Sequence, residues 1–151
     1  MGMRTTIYGY IEEMDFWQEA IRDRVREHNT GIIYGLPKAD AWPPLSREMF
    51  AICENDIFAP GPNFEYSGRI IHFGANLKSF DLDWEEWKVK FETLLQNLFF
   101  LNANVHFQTE YSSLAIYSWQ VDIAKYKTFR DGQMPPAISR EHWDYESNYD
   151  N

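Results

Sequence analysis

The chain has 151 residues and a mass of 18.0 kDa, a one-domain length that can bury roughly 68–70% of its unfolded surface without disulfide or metal staples. Hydrophobic residues make up 44% and aromatic residues 17%, with six Trp, nine Tyr and eleven Phe, which excludes a disordered chain. Fourteen Lys and Arg stand against 23 Asp and Glu, a formal charge of −9, which excludes affinity driven by a phosphate backbone and disfavours an anionic membrane surface.

Residues 5–12 read as a strand, with Ile7 and Ile11 on one face and Tyr8 and Tyr10 on the other. Asp15 then reads as a helix N-cap, with Gln18 three residues on to complete a capping box. Phe16, Trp17, Ala20, Ile21 and Val25 recur at helical spacing; Glu19, Arg22, Asp23, Arg26 and Glu27 form the polar face. Gly31 offers a stop, but Ile32, Ile33 and Leu36 continue the stripe, so the helix is expected to end either there or before Pro37. Residues 38–45 read as a loop containing Pro43-Pro44. Ser46 is a cap for a short helix over 47–53, and residues 60–63 form a second loop.

Residues 64–77 read as a long strand, with Arg69, Ile71, Phe73 and Ala75 on one face and Tyr66, Ile70 and His72 on the other. Asp83 is expected to cap the clearest helix, with Glu86 completing a second capping box. Trp84, Trp87, Phe91, Leu94, Leu95 and Leu98 make its apolar stripe. Residues 102–111 alternate: Ala103, Val105 and Phe107 point one way, Asn104, His106 and Gln108 the other. Ser112-Ser113 would turn into a strand over 114–121, making an antiparallel hairpin. The sum is an α+β domain over residues 1–138. Its expected architecture is a two-layer sandwich, a mainly antiparallel sheet with two amphipathic helices on one face. Residues 139–151 form an acidic-aromatic tail.

No catalytic, cofactor or metal motif is legible. The four histidines (His28, His72, His106 and His142) are never three to five residues apart, although His72 and His106 could meet on adjacent strands. The single cysteine, Cys53, cannot form an intramolecular disulfide, which favours a reducing compartment. It follows an apolar run and reads as a small core residue. Gly9, Gly31, Gly35, Gly68 and Gly74 are too scattered for a phosphate loop. Residues 1–12 lack a basic start followed by a long apolar run, and the longest apolar stretch, around 94–101, is too short to cross a bilayer. A cytoplasmic location is expected.

Two acidic groupings remain. Asp81, Asp83, Glu85 and Glu86 crowd one helix start, where capping and the helix dipole account for them and a basic protein partner is the functional reading. In the tail, Glu141, Asp144, Glu146 and Asp150 surround Trp143, Tyr145 and Tyr149. There an aromatic clasp onto the domain competes with an interaction segment. A small acidic domain with spare aromatics, local acid clusters and no catalytic grammar resembles bacterial immunity proteins, the cytosolic antidotes to secreted toxins. The resemblance lies in character over the whole chain, and no residue carries over from it. It implies a non-catalytic binder, monomeric or homodimeric and free of cofactor, metal and nucleic acid. Its partner would be a basic protein such as a toxin nuclease, whose active site or substrate entrance it blocks. Two alternatives stand beside it. One is a small enzyme or ligand binder with a cleft lined by Tyr8, Tyr10, Tyr66, His72 and Trp119. The other is a subunit of a larger assembly.

Overall fold

In a computed structural model, residues 4–52, 69–78, 83–110, 115–126 and 144–149 are described, the last segment as backbone only. The elements run β1 (Arg4–Glu13), α1 (Glu19–Tyr34), β2 (Phe50–Ile52), β3 (Ile70–Lys78), α2 (Trp84–Gln96), β4 (Phe100–Thr109), β5 (Ala115–Gln120) and β6 (Asp144–Tyr149). The strands form one sheet in the order β2-β3-β1-β4-β5-β6, and every neighbouring pair is antiparallel. This is the expected α+β class. The hairpin expected near the C-terminal third is present as β4–β5, with Val105 opposite Tyr117.

Strand alternation sorts the sheet into two faces. Ile7 and Ile11 of β1, Ile71 and Phe73 of β3, Ala103 and Val105 of β4, and Ala115, Tyr117 and Trp119 of β5 are buried. Helix α2 lays its stripe on this face: Phe91 lies 5.1 Å from Phe73 and 5.2 Å from Trp119, and Trp84 lies 4.8 Å from Phe107, ring to ring. Helix α1 buries Val25, Asn29 and Ile33, one residue every turn, on the same side. Its Asn29 amide donates to the Glu13 carboxylate at 2.7 Å and accepts the Phe99 N–H at 3.0 Å.

Gly9 allows the central strand its closest approach. A Cβ there would stand 1.9 Å from the Asn104 carbonyl oxygen and 2.9 Å from the Phe73 ring, so only glycine fits without displacing backbone.

Three local expectations are corrected, and the open end of α1 is fixed. Helix α1 begins at Glu19 with Gln18 at its N-cap and no side-chain capping bond, so Asp15 caps nothing there. The chain is still tied to the sheet at Met14, whose N–H donates to Phe99 O. Phe16 then packs edge-on against Phe99 and Tyr126, which delays the first helical turn. At its other end α1 runs through Gly31 and stops at Tyr34, before Pro37, the later of the two expected ends; there the Gly35 N–H donates to the Gly31 carbonyl. The short helix expected after Ser46 is a 3-10 turn, Arg47–Met49, followed by β2. Phe50 there sits opposite Phe73 with ring centroids 5.4 Å apart, and pairing with β3 prevails over helix. The Asp83 carboxylate makes no capping bond to α2, because the side chain is engaged elsewhere.

The tail boundary at 138/139 lies outside the described residues, but the backbone of 144–149 belongs to the same sheet, adding β6 to the free side of β5. The expected strand positions 64–68, the Ser112-Ser113 turn and Cys53 lie outside the described residues. No helix among the described residues is long and apolar enough to cross a membrane.

Candidate functional site

Of the acidic residues singled out at the start of α2, three are described. The Asp83 Oδ2 accepts the Trp42 indole N–H at 2.6 Å, which ties the 37–46 loop to the helix. Glu85, with its side chain 77% exposed, meets Lys88 Nζ at 2.9 Å one turn on, and Lys88 itself is largely covered. Glu86 is exposed and makes no ion pair among the described residues. Asp81 and Glu141 lie outside the described residues. Asp144 and Glu146 fall on β6, in register with Gln120 and Ser118 of β5. Trp84, the first residue of α2, packs 4.9 Å from Tyr117, whose register partner on β6 is Ser147. The helix start therefore lies over β5, one strand from the edge that carries Asp144 and Glu146.

The loop beside this helix is held at several points. Lys90 Nζ donates to Asp40 Oδ2 at 2.9 Å, to Ala41 O at 3.0 Å and to Pro43 O at 2.8 Å. The Trp87 indole donates to Pro44 O at 2.9 Å, and the Leu45 N–H to Asp40 Oδ2 at 2.8 Å. The Leu45 N–H, then the Lys90 ammonium, hold the Asp40 carboxyl below its ordinary value of 3.8. The loop presents Trp42 with 49% of its surface exposed; its peptide bond to Pro43 is cis. Sequence reading registered Pro43-Pro44 and passed over Asp40, Trp42 and Lys90. The available signal was an aromatic residue inside a proline-bounded loop, followed later by Lys90 one turn after Glu86.

The aromatic cleft expected from Tyr8, Tyr10, Tyr66, His72 and Trp119 is not assembled. Trp119 is wholly buried on the helix-covered face, its indole donating to Glu92 Oε1 at 3.1 Å, whereas Tyr8, Tyr10 and His72 lie on the opposite face. Strand residues an odd number apart point to opposite faces. Tyr66 lies outside the described residues. The open face instead carries a polar-aromatic ladder. Tyr8 stacks on His106 at 4.5 Å and 13°, the Asn104 amide donates to Tyr10 Oη at 2.7 Å, and Ser118 Oγ donates to Asn104 Oδ1 at 2.5 Å.

The histidines stay apart. His72 is opposite Tyr10 on one side of β1, and His106 is opposite Tyr8 on the other, so β1 runs between them and they are not on adjacent strands. His28 is at the far end of α2, with Nε2 2.9 Å from Asn97 O. His142 lies outside the described residues. Among the described residues no group of three His, Cys, Asp or Glu is placed to hold a metal ion. Near the α1 end of the sheet, Glu13 and Arg69 form a buried pair. Arg69 Nε donates to Glu13 Oε1 at 2.6 Å and Nη2 to Oε2 at 2.8 Å. The described partners of this pair, Asn29, Thr30 and the Arg26 carbonyl, belong to α1, so the pair joins helix to sheet.

No protein-family model, curated protein or solved structure matches the chain.

Proposed function

We propose that this chain is a non-catalytic binding protein that neutralises a protein toxin in the cytoplasm by covering its active site or substrate entrance. What supports the reading is the disposition of charge. The net charge is −9, and three of the cations are held inward: Arg69 by Glu13, Lys90 by Asp40 and the loop carbonyls, Lys88 beneath Glu85. Carboxylates such as Glu19, Asp23, Glu85 and Glu86 face solvent. Such a surface accelerates encounter with a basic protein, by about tenfold to a thousandfold at low salt. A basic toxin nuclease is the partner chemistry that fits, with carboxylates occupying the place of substrate phosphates.

The test is genetic first. The gene adjacent to this one is induced alone and then together with this protein. Growth arrest relieved by co-expression is the expected result; growth unaffected by the neighbour, or arrest that persists, counts against the reading. With that partner purified, replacing Asp81, Asp83, Glu85 and Glu86 by Lys should slow association and reduce its salt dependence. Unchanged association would remove this patch from the interface.

A further inference from the structure

The loop at 37–46 is more tightly fixed than a connection between a helix and a three-residue edge strand requires. Lys90 holds three of its oxygens, Trp87 a fourth, and Asp83 takes the Trp42 indole N–H at 2.6 Å. The result is an indole with about half of its surface in water, fixed in orientation at the N–H edge. Ordering such a side chain in advance removes the entropy cost that a partner would otherwise meet on binding. Helical spacing puts Glu86 one turn beyond Asp83 on α2, and the half-exposed Val89 one turn beyond Glu86. One helix face and one loop thus present an aromatic plane, two carboxylates and an apolar side chain in sequence.

We propose that Trp42, Asp83 and Glu86 receive an arginine side chain of a basic protein partner, the guanidinium lying against the indole with its N–H groups toward the two carboxylates. The proposal rests on the toxin-neutralising reading for the kind of partner. Charge complementarity selects the occupant. A second copy of a chain carrying −9 would bring carboxylates against carboxylates, and a nucleic acid would be repelled for the same reason. Arginine is favoured over lysine because its guanidinium is planar, stacks on an aromatic face and bonds a carboxylate through two parallel N–H groups. The Asp83 acceptor that fixes the indole thereby also neutralises the incoming cation. Exposed Trp17 is a weaker candidate, since none of the described contacts fixes its ring.

The test uses the full chain labelled with nitrogen-15 and titrated with nona-arginine, with nona-lysine and nona-glutamate as controls, at about 0.15 M salt. Among the indole N–H signals, that of Trp42 should move most and saturate. Nona-arginine should bind more tightly than nona-lysine, and nona-glutamate should not bind. Trp42→Ala should weaken nona-arginine binding about threefold to thirtyfold, the range for losing a cation–aromatic contact, and its own spectrum reports whether it is folded. Glu86→Gln, an exposed change, should also weaken binding and lower its salt dependence, while Trp17→Ala should not. Largest shifts at Trp17, equal binding of the two cationic peptides, wild-type affinity in Trp42→Ala and Glu86→Gln, or no binding at all would each overturn the proposal. Its failure is separable from that of the function. Growth rescue that persists in Trp42→Ala and Glu86→Gln removes the surface and leaves the antidote, whereas arginine binding at Trp42 without rescue does the reverse.

Discussion

Arg69→Met is the sharpest test of what holds α1 to the sheet. Arg69 and Glu13 have side chains 6% and 1% exposed, and two short hydrogen bonds join them. Arg69 also donates to Arg26 O at 3.1 Å and to Thr30 Oγ1 at 2.9 Å, so one guanidinium links β1, α1 and the start of β3. Removing it leaves a buried carboxylate with the Asn29 amide at 2.7 Å as its remaining described donor. Stranding one charge of a buried pair costs about 3–5 kcal/mol, a large share of the roughly 5–15 kcal/mol typical of a whole domain. For a chain of this length that lowers the melting temperature by about 6–20 °C, at roughly 2–4 °C per kcal/mol. Glu13→Leu should cost a comparable amount by stranding the guanidinium. The double variant Glu13→Leu/Arg69→Met should lose less than either single one, because an apolar pair of similar volume needs no desolvation of charge. Urea unfolding of all four proteins at pH 7, followed by circular dichroism, gives the coupling energy. If the two single losses simply add in the double variant, the pair is not the cooperative latch described here.

Gly9→Ala should destabilise by more than the roughly 1–3 kcal/mol usual for overpacking, because the added Cβ meets backbone oxygen, not a side chain that can rotate away; unfolding at wild-type urea concentration would refute this. Asp40 has a depressed folded-state value, so its contribution is present above the ordinary 3.8 and is lost as pH falls through the lower folded value. The gap in urea midpoint between wild type and Asp40→Asn should therefore be constant near neutrality and narrow as the solution is acidified below 3.8; a gap that widens on acidification would contradict the assignment. Burial raises the Tyr126 phenol well above its ordinary 10.0 despite the bond it donates to Phe100 O at 2.7 Å. Its stabilising contribution is intact below pH 10 and falls as pH climbs toward the folded value. Tyr126→Phe should cost about 1 kcal/mol near pH 7 and should show a shallower alkaline loss than wild type by the same unfolding assay.

The sheet and the long helix were legible because their signals are periodic and agree with burial. Trp84, Trp87, Phe91, Leu94, Leu95 and Leu98 read as one stripe and are all buried; Ile7 and Ile11 read as sharing one strand face, as do Ala103 and Val105, and these four are buried. What failed was local and was overridden from a distance. Asp15 and Asp83 both look like caps, yet one is held off by the Met14 and Phe16 contacts to the Phe99 region and the other is claimed by Trp42. Residues 47–52 make a 3-10 turn and then a strand, not one short helix, because β3 offers Phe50 and Ile52 a strand partner about twenty residues away in sequence, which no local window contains. The candidate surface was half legible. Asp83, Glu85 and Glu86 follow one another in the sequence, but the loop bearing Trp42 reaches them only through the fold. Trp119 misled for the opposite reason: its face is set by strand parity, which a list of aromatic residues does not encode.

The strand order has a consequence for how the molecule comes into being. β1 is the first strand made, yet it occupies the middle of the sheet, with Ile7 opposite Ala75 on one side and Phe107 on the other. During synthesis it waits for both flanks. Neither side of it can be satisfied by a neighbouring turn, and Ile7 and Ile11 stay uncovered until β3, α2 and β4 have left the ribosome. The nascent chain therefore carries a stretch of adhesive strand in search of an edge until residues 70–109 have emerged. Folding is expected to be slow and dominated by long-range closure, and the yield of soluble protein should respond to translation rate and to chaperone supply more than to small changes in the stability of the finished fold.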